Sequence, residues 1–377
     1  MRWNSHLFFE EGKKAGYNEA YLTKLLRVGR NLDSQGLPVV FSLANLARCS
    51  RVKYEDLHAV VARRSLSGAD PHYRNFPIRK RSGGKRWISV PVPQLLVCQS
   101  WIATNILNNV EPHPAAAAYY PGRTLKAHAD QHCSARWLVK LDIRDFFGNV
   151  SERQVYAVFE RLGYPRLLCF ELARICTRIS PKRKGSRWTN WEKDYSIPDY
   201  HSDHVGSLPQ GAPTSPALSN LVFQKIDGEI EKVVADLGGI YSRYADDLCM
   251  SFYQGSREQF NELKDQVAQI LWRNGFSLNK KKTRIIPPGA RKIVTGLVVN
   301  GEASTVPKEV RSKIRMHLYH CRTKGIPSHC EWVGFNSLVG FRNHLLGLVM
   351  YVKSIDFNQG NRFLKEFNRL PWPDIDY

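Results

Sequence analysis

The segment that decides the fold is IYSRYADDLCMSF, residues 240–252. Apolar residues stand on both sides of two adjacent acids, Asp246 and Asp247. An Asp-Asp pair by itself is most simply a turn, because short acidic side chains cap the backbone where a hairpin reverses. The pair can also project two carboxylates to one point, and carboxylate oxygens are ligands that Mg²⁺ prefers. A third acid elsewhere in the chain would favour a metal site.

A candidate third acid lies in WLVKLDI, residues 137–143. Successive side chains of a β-strand point to opposite faces, so Asp142 shares one face with Lys140. The other face carries four apolar residues, Trp137, Val139, Leu141 and Ile143. The pattern predicts a strand that belongs in the core but whose Asp142 points away from the main core.

The overall charge of the chain points to a polyanionic partner. The 377 residues include 55 Lys+Arg against 34 Asp+Glu, a formal net charge of +21. A merely basic surface is the simpler alternative, but phosphate backbones reward Lys and Arg through counterion release. The excess favours nucleic acid, and the length allows two or three subdomains.

The cysteines and the apolar runs predict a cytoplasmic protein. The eight cysteines include no Cys-x-x-Cys pair, which argues against a zinc site or a disulfide framework. The N-terminal segment has no signal-peptide core, and no apolar run approaches the ~20 residues that a membrane span requires. We therefore expect a reducing, cytoplasmic setting and no membrane partner.

A basic hairpin is predicted ahead of the acidic strand. Residues 76–93, FPIRKRSGGKRWISVPVP, indicate two strands that turn at Ser82-Gly83-Gly84. Five basic residues flank this turn: Arg79, Lys80, Arg81, Lys85 and Arg86. Such a hairpin can supply Lys and Arg side chains to phosphate groups.

The two acidic segments are separated by a loop and a helix. The loop is LPQGAPTSP, residues 208–216, in which Ser215 can cap the helix and Pro216 falls in its first turn. The predicted buried stripe of the helix is Val222, Ile226, Ile230, Val233 and Leu237. The order strand, helix, strand can bring the three carboxylates into one cluster.

Three clustered carboxylates repel one another unless cations occupy the site. Two Mg²⁺ ions ~3.5–4 Å apart are the usual solution in phosphoryl transfer. One ion lowers the pKa of the attacking hydroxyl, and the other holds the triphosphate and the leaving oxygen. The basic hairpin would then bind the phosphates of the substrate.

Three segments of the chain carry a specific family resemblance. LDIRDFF, LPQGAPTSP and YADD resemble, in this order, the palm motifs of reverse transcriptases, and the similarity runs from about residue 76 to residue 300. It implies an α+β right-hand polymerase whose palm is an antiparallel sheet with helices on one face. The expected regions are an N-terminal helical region 1–75, fingers 76–136, a palm 137–300 with a surface insertion at 180–206, and a helical thumb 301–377.

The resemblance also implies roles for individual residues. Asp142, Asp246 and Asp247 match the metal ligands, with the backbone of Ile143 as a further ligand. Phe147 matches the residue that excludes a ribose 2′-hydroxyl, although it could also be plain core. The other implied contacts to the deoxynucleoside triphosphate are Lys80 and Arg86 with the triphosphate, Gln210 in the nucleotide pocket, and Lys282 near the departing pyrophosphate.

Two further elements resemble the retron branch of this family. IVTGLVVNG, residues 293–301, contains a Val-Thr-Gly element, and we expect its hairpin to turn at Asn300-Gly301. HADQH, residues 128–132, matches an Asn-Ala-x-x-His element except that His128 stands where Asn is expected. The retron resemblance implies a structured noncoding RNA that is copied into branched single-stranded DNA from a guanosine 2′-hydroxyl. It also implies a separate effector protein and a role in defence against phage.

The C-terminal region predicts a basic helical thumb from Pro307 onward. Its first helix has a core stripe at Val310, Ile314, Leu318 and Cys321. The expected RNA-binding residues occupy the rest of that helix: Arg311, Lys313, Arg315 and Arg322.

Three other functions remain open from the sequence. One is a reverse transcriptase of the group II intron, diversity-generating or abortive-infection type. Another is a catalytically idle RNA-binding scaffold, against which the intact acid triad argues. The third is a template-independent nucleotide polymerase, whose product would not follow a template.

Overall fold

The computed structural model describes residues 3–63, 70–79, 83–179 and 206–372. Lys80 and nearly all of the predicted insertion at 180–206 therefore lie outside the described residues. Within them, no helix has the length and apolarity needed to cross a membrane.

The N-terminal part consists of helices, a hairpin and further helices. The first four helices are α1 (Ser5–Lys14), α2 (Glu19–Ser34), α3 (Leu43–Ser50) and α4 (Tyr54–Ala62). The hairpin strands are β1 (Tyr73–Arg79) and β2 (Lys85–Pro91), followed by α5 (Pro93–Asn105), a short 3₁₀ helix (Leu107–Asn109) and α6 (Leu125–Asp130). The antiparallel pairing of β1 with β2 confirms the basic hairpin predicted from the sequence.

The central part carries the main sheet. Its elements are β3 (Trp137–Asp142), α7 (Phe146–Asn149), α8 (Glu152–Arg161), α9 (Arg166–Cys176), α10 (Ser215–Asp236), β4 (Ile240–Tyr244), β5 (Asp247–Phe252), α11 (Arg257–Arg273) and β6 (Arg284–Ile286). The strands form a four-stranded antiparallel sheet in the order β4-β5-β3-β6. The predicted acidic strand β3 is therefore an inner strand, next to the strand that carries Asp247.

The C-terminal part is a small hairpin and a helical bundle. The hairpin strands are β7 (Ile293–Val294) and β8 (Leu297–Val298), and the helices are α12 (Lys308–Lys324), α13 (Ile326–Trp332), α14 (Leu338–Ile355) and α15 (Phe357–Asn368). In α12 the side chains of Ile314, Leu318 and Cys321 are buried, as the predicted stripe requires, and Val310 is partly buried.

The two faces of the main sheet pack into two different cores. Val139 and Leu141 of β3 belong to the larger core, which also takes in Leu32 and Leu57 of the N-terminal helices. The N-terminal helices therefore share a core with the main sheet. On the opposite face, Leu138 packs into a second core that continues into helices α12 to α15. Asp142 has the same strand parity as Leu138, so it points away from the larger core, as predicted.

Helix α10 differs from the prediction at both ends. Ser215 is its first residue and not its cap, because the Ser215 hydroxyl donates to the Pro209 carbonyl at 2.7 Å. Ile226 and Ile230 are buried as expected, but Leu237 is 43% exposed because the helix ends before it. Phe223 is buried in the core instead.

The hairpin of β7 and β8 turns at Thr295-Gly296 and not at the predicted Asn300-Gly301, which lies in a longer reversal that pairs Val298 with Thr305. Thr295 and Gly296 have φ of 45° and 86°, and two-residue hairpin turns of this kind need positive φ at both positions. The side chain of Asn300 bonds two backbone groups of the preceding segment. It accepts a hydrogen bond from the Lys292 amide at 2.8 Å and donates to the Ala290 carbonyl at 2.9 Å.

Candidate active site

The hairpin of β4 and β5 presents two acids at its tip. Its two central residues are Ala245, with φ of 56°, and Asp246, and Asp247 begins β5. Asp247 lies directly opposite Asp142, the last residue of β3. Directly paired residues in antiparallel strands have Cα atoms ~4.5–5.5 Å apart. The Ile143 amide donates to the Asp246 carbonyl at 2.9 Å, so all three acids meet at one end of two adjacent strands.

The segment after α11 supplies two polar partners to Asp142, which is 3% exposed. The Asn279 amide group donates to one carboxylate oxygen at 2.9 Å, and the Lys282 ammonium donates to the other at 2.6 Å. A backbone hydrogen bond also holds this segment in place, because the backbone N–H of Asn279 donates to the Asp142 carbonyl at 2.7 Å. The hydrogen bond to Asp142 raises the pKa of Lys282. Lys282 thus partly offsets the negative charge of the acids.

Burial and the neighbouring acids disfavour the ionised form of Asp246. Burial raises the pKa of its carboxyl, and the nearby charge of Asp142 raises it further. A cation bound between the acids would relieve both effects. Carboxylate oxygens are also the donors that hard divalent ions take. Among the residues that the structure describes, no three His, Cys, Asp or Glu side chains are already gathered as a metal-binding group.

A buried ion pair that the sequence reasoning missed supports the acidic hairpin. The Arg243 guanidinium donates to both carboxylate oxygens of Asp227 on α10, at 2.8 and 2.7 Å, and both side chains are fully buried. It also donates to the Ala245 carbonyl at 3.2 Å, within the turn itself. The pair left no local signal, because Asp227 lies in the charged stretch QKIDGEIEK of α10 and Arg243 lies 16 residues away in β4.

Aromatic residues line the space beside the acids. Phe147 is partly buried, and its ring centroid lies 6.2 Å from that of Tyr119, which in turn lies 6.4 Å from that of Tyr244. Tyr119 is 43% exposed and has φ of 63°, an uncommon backbone conformation for a bulky residue. Burial and the charge of Asp246 raise the pKa of Tyr119, and the charge of Arg86 opposes this. Tyr119 is not among the site residues predicted from the sequence.

The loop with Gln210 is docked on the basic hairpin. The Ser89 amide of β2 donates to the Gln210 carbonyl at 2.8 Å. Gly211 has φ of 123°, and a Cβ there would lie 2.8 Å from Ile88 and 3.0 Å from the Ser89 carbonyl. The loop can lie this close only because residue 211 is glycine. Gln210 is thereby held near the strand that carries Arg86, while Lys80 lies outside the described residues.

The family model described as "Reverse transcriptase (RNA-dependent DNA polymerase)" matches residues 78–336, which include the three acids, strand β2 with Arg86 and the Gln210 loop. The chain belongs to the reverse transcriptase family. It is an RNA-directed DNA polymerase with the right-hand fold, and enzymes of this family use divalent metal ions.

Curated relatives place this reverse transcriptase among the retron enzymes. It is 29% identical to the Retron Ec86 reverse transcriptase of Escherichia coli, over 89% of this chain and 96% of the relative. It is 30% identical to the Retron Mx162 reverse transcriptase of Myxococcus xanthus, over 89% of this chain and 68% of the relative. It is 33% identical to the Retron Ec83 reverse transcriptase of Escherichia coli, over 72% of this chain and 82% of the relative.

The thumb residues expected to bind RNA do not share one face of α12 in this reverse transcriptase. With 3.6 residues per turn, Arg311, Arg315 and Arg322 fall on one side of the helix. The Arg315 guanidinium lies 5.9 Å from the ring centroid of Phe363 on α15. Lys313 falls on another side, where its ammonium lies 3.5 Å from the His344 ring. The expected set therefore divides into an arginine side and a lysine side.

Proposed function

We propose that this reverse transcriptase copies part of a structured noncoding RNA into single-stranded DNA, starting from a guanosine 2′-hydroxyl, so that the DNA stays branched to the RNA. The observation that carries the catalytic part is the pairing of Asp142 with Asp247 beside Asp246 at one end of the sheet. The similarity to retron enzymes supports the choice of template. We further propose a cytoplasmic enzyme within an anti-phage unit, with a separate effector protein.

The proposed ligands of two Mg²⁺ ions are the carboxylates of Asp142, Asp246 and Asp247 and the carbonyl of Ile143. When bound, the ions would lower the pKa of the attacking hydroxyl and neutralise the triphosphate. The strands contribute positioning, because β3 and β5 hold their terminal acids in fixed register. This arrangement suits a site that stabilises the negative charge developing on the phosphoryl group during transfer.

The remaining site residues act on the nucleotide in this proposal. The Lys282 side chain is 57% exposed, so its ammonium can leave Asp142 and pair with the departing pyrophosphate. Arg86 and Lys80 bind the triphosphate, Gln210 lines the pocket, and Phe147 lies under the sugar. The regions 1–75, 76–136, 137–300 and 301–377 are proposed as N-terminal region, fingers, palm and thumb.

The experiment that tests this function is to purify the full chain from cells that also carry its flanking DNA, and to sequence the bound nucleic acid. We expect one RNA species, joined at an internal guanosine to a single-stranded DNA that is complementary to another part of that RNA. The Asp247→Asn variant should yield the same RNA without DNA. DNA with a free 5′ end, or a mixture of unrelated RNAs, would refute the retron function and favour another class of reverse transcriptase.

A second prediction concerns the thumb and compares two variants that lose equal charge from the two sides of α12. Arg315→Gln with Arg322→Gln removes two charges from the arginine side, and Lys313→Gln with Lys324→Gln removes two from the lysine side. We expect the arginine pair to weaken cognate RNA binding more, because a guanidinium can contact a phosphate bidentately. The slope of log affinity against log salt should fall by about two for that pair.

Filter binding across a salt series measures both slopes, with a non-cognate RNA of equal length as the control. Extension of a pre-annealed generic primer should change little in either variant, because the acids and the basic hairpin are untouched. Unchanged affinity and slope in the arginine pair would move RNA recognition away from this side of α12, towards the N-terminal helices or residues 180–206.

A further inference from the structure

A chain of buried hydrogen bonds crosses the sheet face that also carries Asp142 and Asp247. The His128 Nε2 and His132 Nε2 atoms lie 2.7 and 2.6 Å from the Ser242 hydroxyl of β4. The His132 Nδ1 atom lies 2.8 Å from the Ser251 hydroxyl of β5. All four side chains are at most 2% exposed. The HADQH element is therefore bonded to both strands of the acidic hairpin.

The protons of this chain can be placed without charging either ring. The Ser242 hydroxyl has one proton, so it donates to one histidine and accepts from the other, and the chain runs in a single direction. Burial and the charge of Lys140 lower the pKa of His128 to about 4. Burial lowers that of His132 to about 3. Both rings are thus neutral near pH 7, and each keeps one donor and one acceptor.

His128 extends the chain to Tyr244, beside the acids, and to Thr295 in the turn of β7 and β8. Its ring stacks on Tyr244 with a centroid distance of 5.8 Å and an interplanar angle of 28°. Tyr244 is the residue before the turn of the acidic hairpin and touches Tyr119, which touches Phe147. On its other side, the His128 Nδ1 atom lies 3.4 Å from the Thr295 hydroxyl.

Thr295 occupies a strained position that this contact helps to explain. A β-branched residue with φ of 45° is a backbone outlier, and such strain persists where surrounding structure enforces it. The next residue, Gly296, faces the thumb, since a Cβ there would lie 3.7 Å from the Tyr351 hydroxyl of α14. Nearby, the Asp130 carboxylate accepts from the Ser304 amide at 2.9 Å. The HADQH element thus bonds both the acidic hairpin and the segment that leads into the thumb.

We propose that His128 and His132 are positioning residues for DNA synthesis, which hold the acidic hairpin and the Thr295-Gly296 turn in one fixed relation. The inference rests on the proposed catalytic role of the three acids. A side chain far from the reacting atoms can matter here, because a misplacement of ~1 Å can cost about 10²-fold in rate. It also accounts for histidine at position 128, since the two ring nitrogens reach Ser242 and Thr295 on opposite sides.

The test variant is His128→Phe, which keeps a flat ring against Tyr244 and removes both hydrogen bonds. Ser242 retains His132 as a partner, so no buried polar group is orphaned and the fold should survive. We expect kcat for extension of a pre-annealed RNA–DNA primer to fall about 10- to 100-fold. The KM for dNTPs and the affinity for RNA should stay within about twofold, and the melting temperature should change little. His128→Asn, whose amide also donates and accepts, should recover most of the kcat.

His317→Phe is the matched control, because His317 is equally buried at 2% exposure and bonds another histidine, His329, at 2.8 Å in the thumb. It should leave kcat unchanged. If His128→Phe does not fold, Ser242→Ala removes only the shared hydroxyl and should give the same loss of kcat. A folded His128→Phe or Ser242→Ala protein with wild-type kcat would overturn the proposal. So would a loss of kcat that is matched by equal losses of RNA affinity and melting temperature. Failure of the catalytic assignment is distinguishable, since then Asp246→Asn would retain activity in the same assay.

Discussion

Asp246→Asn is expected to lower DNA synthesis on the order of 10³-fold or more, because a neutral amide cannot supply the negative charge that holds two cations. The same substitution should not weaken the fold. Burial and the charge of Asp142 raise the pKa of Asp246, so its ionised form is disfavoured in the folded protein. Replacing the carboxylate with an isosteric neutral group should therefore maintain or raise the melting temperature. A variant that loses activity and gains stability would show that the Asp246 carboxylate serves catalysis at a cost in folding stability.

Primer extension, RNA filter binding and thermal melting of the same preparation measure these effects. Asp236→Asn is the matched control, since Asp236 is exposed at the end of α10, outside the site, and should behave like the wild type. RNA affinity should hold within about twofold for Asp246→Asn, because the RNA-binding charge lies in Lys and Arg. Substantial extension by both Asp246→Asn and Asp247→Asn would remove the proposed mechanism.

Phe147→Ala is expected to raise the use of ribonucleotides relative to deoxyribonucleotides about 10- to 100-fold, as judged by the ratio of kcat/KM values. The ring is partly buried and packs between Tyr119 and Phe146, so it can fill the space that a 2′-hydroxyl would need. Its partial burial predicts a stability loss of roughly 1–3 kcal/mol, below that of a fully buried phenylalanine.

Competition between ribonucleotides and deoxyribonucleotides on one template measures the discrimination. Phe146→Leu is the control, because Phe146 is the adjacent ring but is 5% exposed and packs into the larger core. That variant should lose stability and keep its discrimination. If both variants discriminate as the wild type does, the 2′-hydroxyl is excluded by another residue, and Tyr119 becomes the next to test.

Much of this site could be predicted from the sequence, because its signals are local. The apolar alternation around Asp142 and the apolar flanks of Asp246 are short-range patterns, and each produced the strand or hairpin expected. Helix α12 likewise followed from the spacing of its apolar residues. The composition of the chain predicted a nucleic-acid partner, because net charge is a sum over residues and needs no knowledge of the fold.

Other features were decided by tertiary contacts alone. Asn300-Gly301 has the better local turn sequence, yet the two-residue turn forms at Thr295-Gly296. Asn300 lies in a longer reversal, where its side chain bonds the backbone of Lys292 and Ala290. The pairing of Arg243 with Asp227 joins a strand to a helix across the core, so it had no local signal. The partners His128 and Ser242 are 114 residues apart in sequence. A hydrogen bond depends on where two atoms meet in space, and sequence spacing predicts that only within one helix, strand or turn.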